Sequence, residues 1–115
     1  LEGLAKLLKT IEALKSSLDT QIVIDGLLRT MYDGRNLLTR QVSEQLLKNF
    51  GNKVYQTVIP RNVRLAEAPS HGMPIVAYDK NCHGSCAYLA LAAEIIRRWQ
   101  TAGTAHSLLE GEQHA

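Results

Sequence analysis

Leu1, Leu4, Leu8, Ile11, Leu14 and Leu18 recur every three or four residues, while Lys6, Lys9, Glu12 and Lys15 fall mostly elsewhere. That period predicts an amphipathic helix over residues 1–18. The pattern then changes. Ile22, Val23, Ile24, Leu27 and Leu28 form a short apolar run with β-branched residues, which predicts a buried strand of a parallel sheet within residues 21–31. Tyr32-Asp33-Gly34-Arg35-Asn36 is turn chemistry, because Asp, Gly and Asn tolerate the backbone angles of a reversal. Thr39 is placed to cap a second helix carrying Val42, Leu46, Leu47 and Phe50, and Gly51-Asn52 is placed to end it. Val54, Tyr55, Thr57, Val58 and Ile59 predict a second strand, stopped by Pro60, which has no N–H for a ladder.

Residues 61–83 read as loop, with room for a short edge strand at Ile75 to Tyr78. A last helix is expected from Gly84 or Ser85 to Gln100, with Tyr88, Leu89, Leu91, Ala92, Ile95, Ile96 and Trp99 on its apolar side. Thr101 to Ala115 is small and polar and is expected to form a flexible tail. The order helix, strand, helix, strand, loop, helix implies an α/β fold with parallel pairing. Two or three strands make a thin sheet, yet these strands look buried on both faces. The conflict points to self-association or to a missing covering part.

Composition narrows this picture only a little. A chain of 115 residues, 45% hydrophobic and 21% charged, suits one small domain or part of a larger one and argues against extensive disorder. A net charge of +2 is too small to argue for nucleic acid by itself, so that case must rest on where the arginines sit. No apolar run is long enough to cross a membrane, and the opening residues are not a signal peptide. The chain opens without Met, as a truncated, proteolysed or Met-processed chain would. Two cysteines make no disulfide framework, and a cytoplasmic location is the default.

Cys82-His83-Gly84-Ser85-Cys86 offers two or three metal ligands, with His71 the only local addition. Structural zinc needs four, so no metal is assigned, and the sulfurs read as small groups at a helix start. Asp33, Glu67 and Asp79 show no catalytic spacing and no catalytic residue is assigned. Asp33 is expected to shape its turn and Glu67 to accept hydrogen bonds within the loop. For Arg29, Arg40, Arg61, Lys80, Arg97 and Arg98 the simple reading, a solvated charge, is favoured.

The stretch after the second strand holds all three prolines of the chain. It reads Ile59-Pro-Arg-Asn-Val-Arg-Leu65, then Glu67-Ala-Pro-Ser70, Gly72, Pro74 and Tyr78-Asp79. With Leu1-Glu2-Gly3-Leu4, Thr30-Met31-Tyr32-Asp33, Arg35, Gly84, Ala87-Tyr88-Leu89-Ala90 and Ala92, it resembles the ParA/Soj family of chromosome- and plasmid-partitioning ATPases. The resemblance covers roughly residues 1–98.

It implies the C-terminal part of a P-loop NTPase-type parallel sheet flanked by helices, over residues 1–100, followed by the tail 101–115. Members of that family dimerise around ATP with magnesium, bind DNA without sequence preference, and release it when a ParB-type partner stimulates hydrolysis. Carried over by motif, Pro60 and Asn62 would contact adenine, with Met31 a weaker candidate. Arg35 and Arg64 would contact DNA phosphates on the nucleoid. No Gly-rich phosphate loop with its Lys occurs in this sequence, so these residues alone are expected neither to hydrolyse ATP nor to hold it tightly. A MinD-like membrane-associated relative and a standalone, non-enzymatic interaction module are the alternatives. The former needs a basic amphipathic C-terminal helix, and residues 101–115 contain Glu110 and Glu112 but no Lys or Arg.

Overall fold

The computed structural model describes the backbone of residues 2–19 and 21–114, and side chains as far as Gly103. The expectations for Leu1 and Ala115 lie outside the described residues. The elements are α1 (Glu2–Leu18), β1 (Leu27–Tyr32), α2 (Leu37–Phe50), β2 (Val54–Pro60), α3 (Val63–Glu67), α4 (Ile75–Tyr78) and α5 (His83–His114). Short 3-10 turns cover Gly51–Lys53 and Ala68–His71. β1 and β2 form a parallel two-stranded sheet, and α5 packs against β2. The α/β class and the parallel pairing are as the sequence predicts.

Several boundaries differ, each for a local reason. β1 begins at Leu27, not near Gln21, and residues 21–26 belong to no strand. Leu27 faces Val54, the first residue of β2, so residues upstream have nothing in β2 to pair with. None of β1 is fully buried, contrary to the expectation of a strand covered on both faces. α2 starts two residues before Thr39. Its cap is Asn36, whose Oδ1 accepts from the amides of Leu38 (2.8 Å) and Thr39 (3.4 Å). Gly51, at φ 52°, closes α2 with its amide on the Leu47 carbonyl, a conformation that favours glycine.

Ile75 to Tyr78 is one helical turn rather than an edge strand. The Pro74 carbonyl accepts from Ala77 (3.0 Å) and Tyr78 (2.9 Å), and Ile75 accepts from Asp79, so the amides a ladder needs are already committed. α5 continues to His114 instead of ending at Gln100, through a stretch without proline. α1 buries none of its residues, and Leu7, Leu14 and Leu18 are exposed.

The core lies between β2 and α5, with Val54, Ile59, Ala68, Ile75 and Leu91 as its buried apolar residues. The strands are out of step there. Two steps along β1, from Leu27 to Arg29, match four along β2, from Val54 to Val58. The surplus residues of β2 form a bulge that leaves main-chain groups unpaired by the ladder. Glu94 of α5, only 5% exposed, takes two of them. Its Oε2 accepts from the Gln56 amide (2.7 Å) and its Oε1 from the Thr57 amide (2.9 Å). Arg98 donates to Glu94 Oε2 (3.2 Å) and to the Val54 carbonyl (3.0 Å), with its guanidinium 4.4 Å above the Tyr55 ring.

From the other side, Arg29 donates to Ser43 Oγ (2.7 Å) and to the carbonyls of Tyr55 (2.8 Å) and Gln56 (3.3 Å). Burial pushes the Glu94 carboxyl up. The Thr57 and Gln56 amides and the Arg98 charge outweigh it and hold the pKa down at about 2. Arg29 and Arg98 are therefore half-buried clamps on a strand, not the solvated charges expected from sequence.

Candidate nucleotide and phosphate-binding surface

The C-terminal ends of β1 and β2 lie side by side, with Tyr32 opposite Pro60 and the Arg61 amide donating to the Tyr32 carbonyl (3.2 Å). In open α/β sheets this end is where ligands sit. A second irregularity falls here: three steps along β1, from Arg29 to Tyr32, match two along β2. Met31 occupies the bulge at φ 53°, in the left-handed region that non-glycine residues seldom adopt. Its side chain is exposed instead of packed into the core.

Beside it lies a cleft of about 480 Å³ whose lining includes Met31, Pro60, Asn62, Leu65 and Tyr88. All three residues proposed for adenine therefore line one cleft. Its lining carries no carboxylate, His or Cys, so it is suited to binding a flat apolar group rather than to acid–base work.

Asn62 has a task of its own. Its Oδ1 accepts from the Arg64 amide (3.0 Å), capping α3. The oxygen is thus partly committed, while the side-chain NH2 remains as a donor. Tyr88 and Leu65, also in the lining, were not singled out from sequence as site residues. Leu65 reaches its place because Gly84 has no side chain: a Cβ at Gly84 would stand 2.5 Å from Leu65 Cγ. The start of α5 thereby closes against α3.

The two arginines proposed for phosphates are both ion-paired. Arg35 is 93% exposed, and its Nε and Nη2 donate to Asp33 Oδ1 (3.1 Å) and Oδ2 (3.3 Å). Asp33 also accepts from the Arg35 amide (3.1 Å), which makes it the turn-shaping residue expected. These hydrogen bonds, the side-chain one first, hold the Asp33 carboxyl below its ordinary range.

Arg64 Nη1 meets Glu67 Oε2 (3.2 Å) and its Nε meets Asp79 Oδ2 (3.4 Å). Tyr78 OH donates to the same Glu67 oxygen (2.7 Å), and His71 stacks on Tyr78 with ring centroids 4.9 Å apart. The Tyr78 hydrogen bond, reinforced by Arg64, lowers the Glu67 pKa. Glu67 is thus the loop acceptor expected from sequence. Arg61, Arg40, Lys80 and Arg97 are exposed.

Cys82 Sγ accepts from the Ser85 amide (3.4 Å), so this sulfur serves the start of α5. Among the described residues no group of three or more His, Cys, Asp or Glu is placed to hold a metal, and no helix is long and apolar enough to cross a membrane.

Residues 3–75 match the family described as the CobQ/CobB/MinD/ParA nucleotide binding domain. The chain belongs to this family. Among similar proteins, an uncharacterized protein of Pseudomonas putida is 56% identical over 98 residues, covering 85% of this chain and 37% of that one. The chromosome partitioning protein ParA of Caulobacter vibrioides is 53% identical over 98 residues, with the same coverages. The sporulation initiation inhibitor protein Soj of Bacillus subtilis is 53% identical over 95 residues, covering 83% of this chain and 38% of that one. The chain thus spans about 37% of the length of the first of these relatives. The resemblance to ParA and Soj read from the strand-end motif agrees with these similarities.

Proposed function

We propose that this chain is part of a ParA/Soj-type, ATP-dependent DNA-partitioning protein, in which the cleft at the strand ends is the adenine-side wall of the nucleotide site. The observation that carries this reading is the convergence of Met31, Pro60 and Asn62 from two strand ends onto one cleft. Pro60 supplies a rigid apolar face for a purine ring. Met31 supplies an adaptable one. The NH2 of Asn62 donates to a purine nitrogen while its oxygen stays on the α3 cap. The phosphate loop and the magnesium ligands are assigned to the part of the longer relatives that this chain does not span. When bound there, magnesium would neutralise charge on the phosphates.

In the same reading Arg35 and Arg64 belong to a sequence-independent DNA surface, and their planar forks match phosphate oxygens. A nucleotide-dependent dimer, a ParB-type partner and a place in the cytoplasm on the nucleoid complete the proposal.

The test is ATP binding by the full-length protein with Asn62→Asp. Aspartate keeps an acceptor for the Arg64 amide but replaces the donor with a negative oxygen. ATP affinity should fall about ten-fold, as for loss of a buried hydrogen bond. Unchanged affinity in a variant that folds like the wild type would overturn the adenine assignment.

A further inference from the structure

Both arginines assigned to phosphates are already occupied by carboxylates of the same chain. Arg35 lies on Asp33 through two of its nitrogens. Arg64 lies between Glu67 and Asp79, at 3.2 and 3.4 Å. The second arrangement has the more parts. Arg64 and Glu67 stand on α3, while Tyr78 ends α4 and Asp79 follows it. Tyr78 OH donates to the same Glu67 oxygen, and His71 stacks on the Tyr78 ring. A guanidinium between two carboxylates has its Nη1 and Nε engaged, and part of its charge is offset toward an incoming anion.

We propose that Glu67 and Asp79 act as internal counter-ions that keep Arg64 from phosphate, so that the conformation seen here is the phosphate-excluding one. A polyanion must displace both carboxylates, or the α3–α4 segment must shift, before Arg64 is free. Both carboxylates can take the change, because each faces solvent: the Glu67 side chain is 39% exposed and that of Asp79 32%. The cleft lies next door, since the Asn62 oxygen that caps α3 accepts from the amide of Arg64 itself. A ligand that pulls on Asn62 therefore acts on the residue that carries the clamped charge. The proposal rests on the DNA reading given above.

The experiment is a comparison of arginine backgrounds. The full-length protein, with ATP and magnesium, is titrated against a labelled duplex of arbitrary sequence as wild type and as Glu67→Gln/Asp79→Asn. The same carboxylate pair is changed in an Arg64→Ala background. Removing the carboxylates should tighten binding about two- to five-fold with Arg64 present, the size set by exposed ion pairs, and much less without it. An equal gain in both backgrounds is a general charge effect and overturns the clamp while leaving the DNA reading intact. No gain in either background, with the duplex bound as tightly as by wild type, also overturns the clamp alone. Absence of duplex binding in every variant overturns both. The charge-conserving Glu67→Asp, which still faces Arg64 and Tyr78, should behave as wild type.

Discussion

Two arginine–carboxylate pairs in this molecule have the same donor–acceptor distance and opposite surroundings. Arg98 and Glu94 meet at 3.2 Å, as do Arg64 and Glu67. The Glu94 side chain is 7% exposed and that of Arg98 32%, against 39% and 55% for Glu67 and Arg64. Their other partners differ too. Glu94 holds two main-chain amides inside the β2 bulge, and Arg98 holds the Val54 carbonyl at its start. Arg64 and Glu67 hold only side chains. A half-buried pair that satisfies backbone groups is part of the fold, since removing one member strands several groups at once. A pair that satisfies only itself, in water, can exchange partners at little cost. Distance alone would not separate the two; burial and the identity of the other partners do.

The sharpest way to break this comparison is Glu94→Ala. It leaves the Gln56 and Thr57 amides without their acceptor and Arg98 without its counter-ion, and should cost about 2–4 kcal/mol. Denaturant unfolding reads this as a fall in midpoint at constant slope. A loss below about 1 kcal/mol would mean that water replaces the carboxylate, and that the β2 bulge is not held from α5. The pH dependence sharpens the point. A carboxyl held at about 2 in the fold, against an ordinary 4.5, contributes stability that is complete above pH 4.5. That stability is lost as pH falls towards 2. Glu94→Gln should flatten this acid limb, and superimposable limbs for wild type and variant would count against Glu94 as its source.

Legibility from sequence follows the same division. The α/β class, the parallel pairing and the end of β2 at Pro60 were readable, because periodicity and turn chemistry are local signals; Met31, Pro60 and Asn62 were named only through the family resemblance, and the structure shows that they line one cleft. What the sequence hid depends on register. Nothing in Val54 to Pro60 announces a bulge, so nothing announces that Glu94 and Arg98, charged residues near the apolar side of the last helix, are its partners. Their spacing of four, beside Leu91 and Ile95, was the available hint. The short helical turns of α3 and α4 were hidden for another reason. Asn62 and Pro74 start them with single hydrogen-bond acceptors, a signal too small to stand out among three prolines.

Gly84→Ala probes the seam between the two regions, where α5 meets the helix carrying Arg64. The new methyl would stand 2.5 Å from Leu65 Cγ, inside contact distance, so Leu65 must shift. The overpacking should cost about 1–2 kcal/mol, less whatever alanine returns as the better helix former. Leu65 lines the cleft, so under the adenine-site proposal ATP affinity in the full-length protein should fall with stability. A variant as stable as wild type would show that Leu65 repacks freely, and that the cleft wall is not set by this contact.

The smallest effect is expected where the comparison predicts exchangeability. Arg64→Ala, Glu67→Gln and the double variant should each leave the denaturant midpoint at the wild-type value, with no measurable coupling between the two sites. The Arg64 amide keeps its bond to Asn62 in all three, so the α3 cap is not touched. Glu67→Gln removes a charge but keeps an acceptor for Tyr78, which isolates the ion pair from the hydrogen bond. A clear coupling in the midpoints would place this cluster with Glu94 and Arg98 as a structural element, and leave Arg64 too firmly held to trade its carboxylates for phosphate. A near-zero coupling, beside the large loss at Glu94, is the pattern in which the backbone partners, rather than the ion pair itself, decide which arginine belongs to the fold.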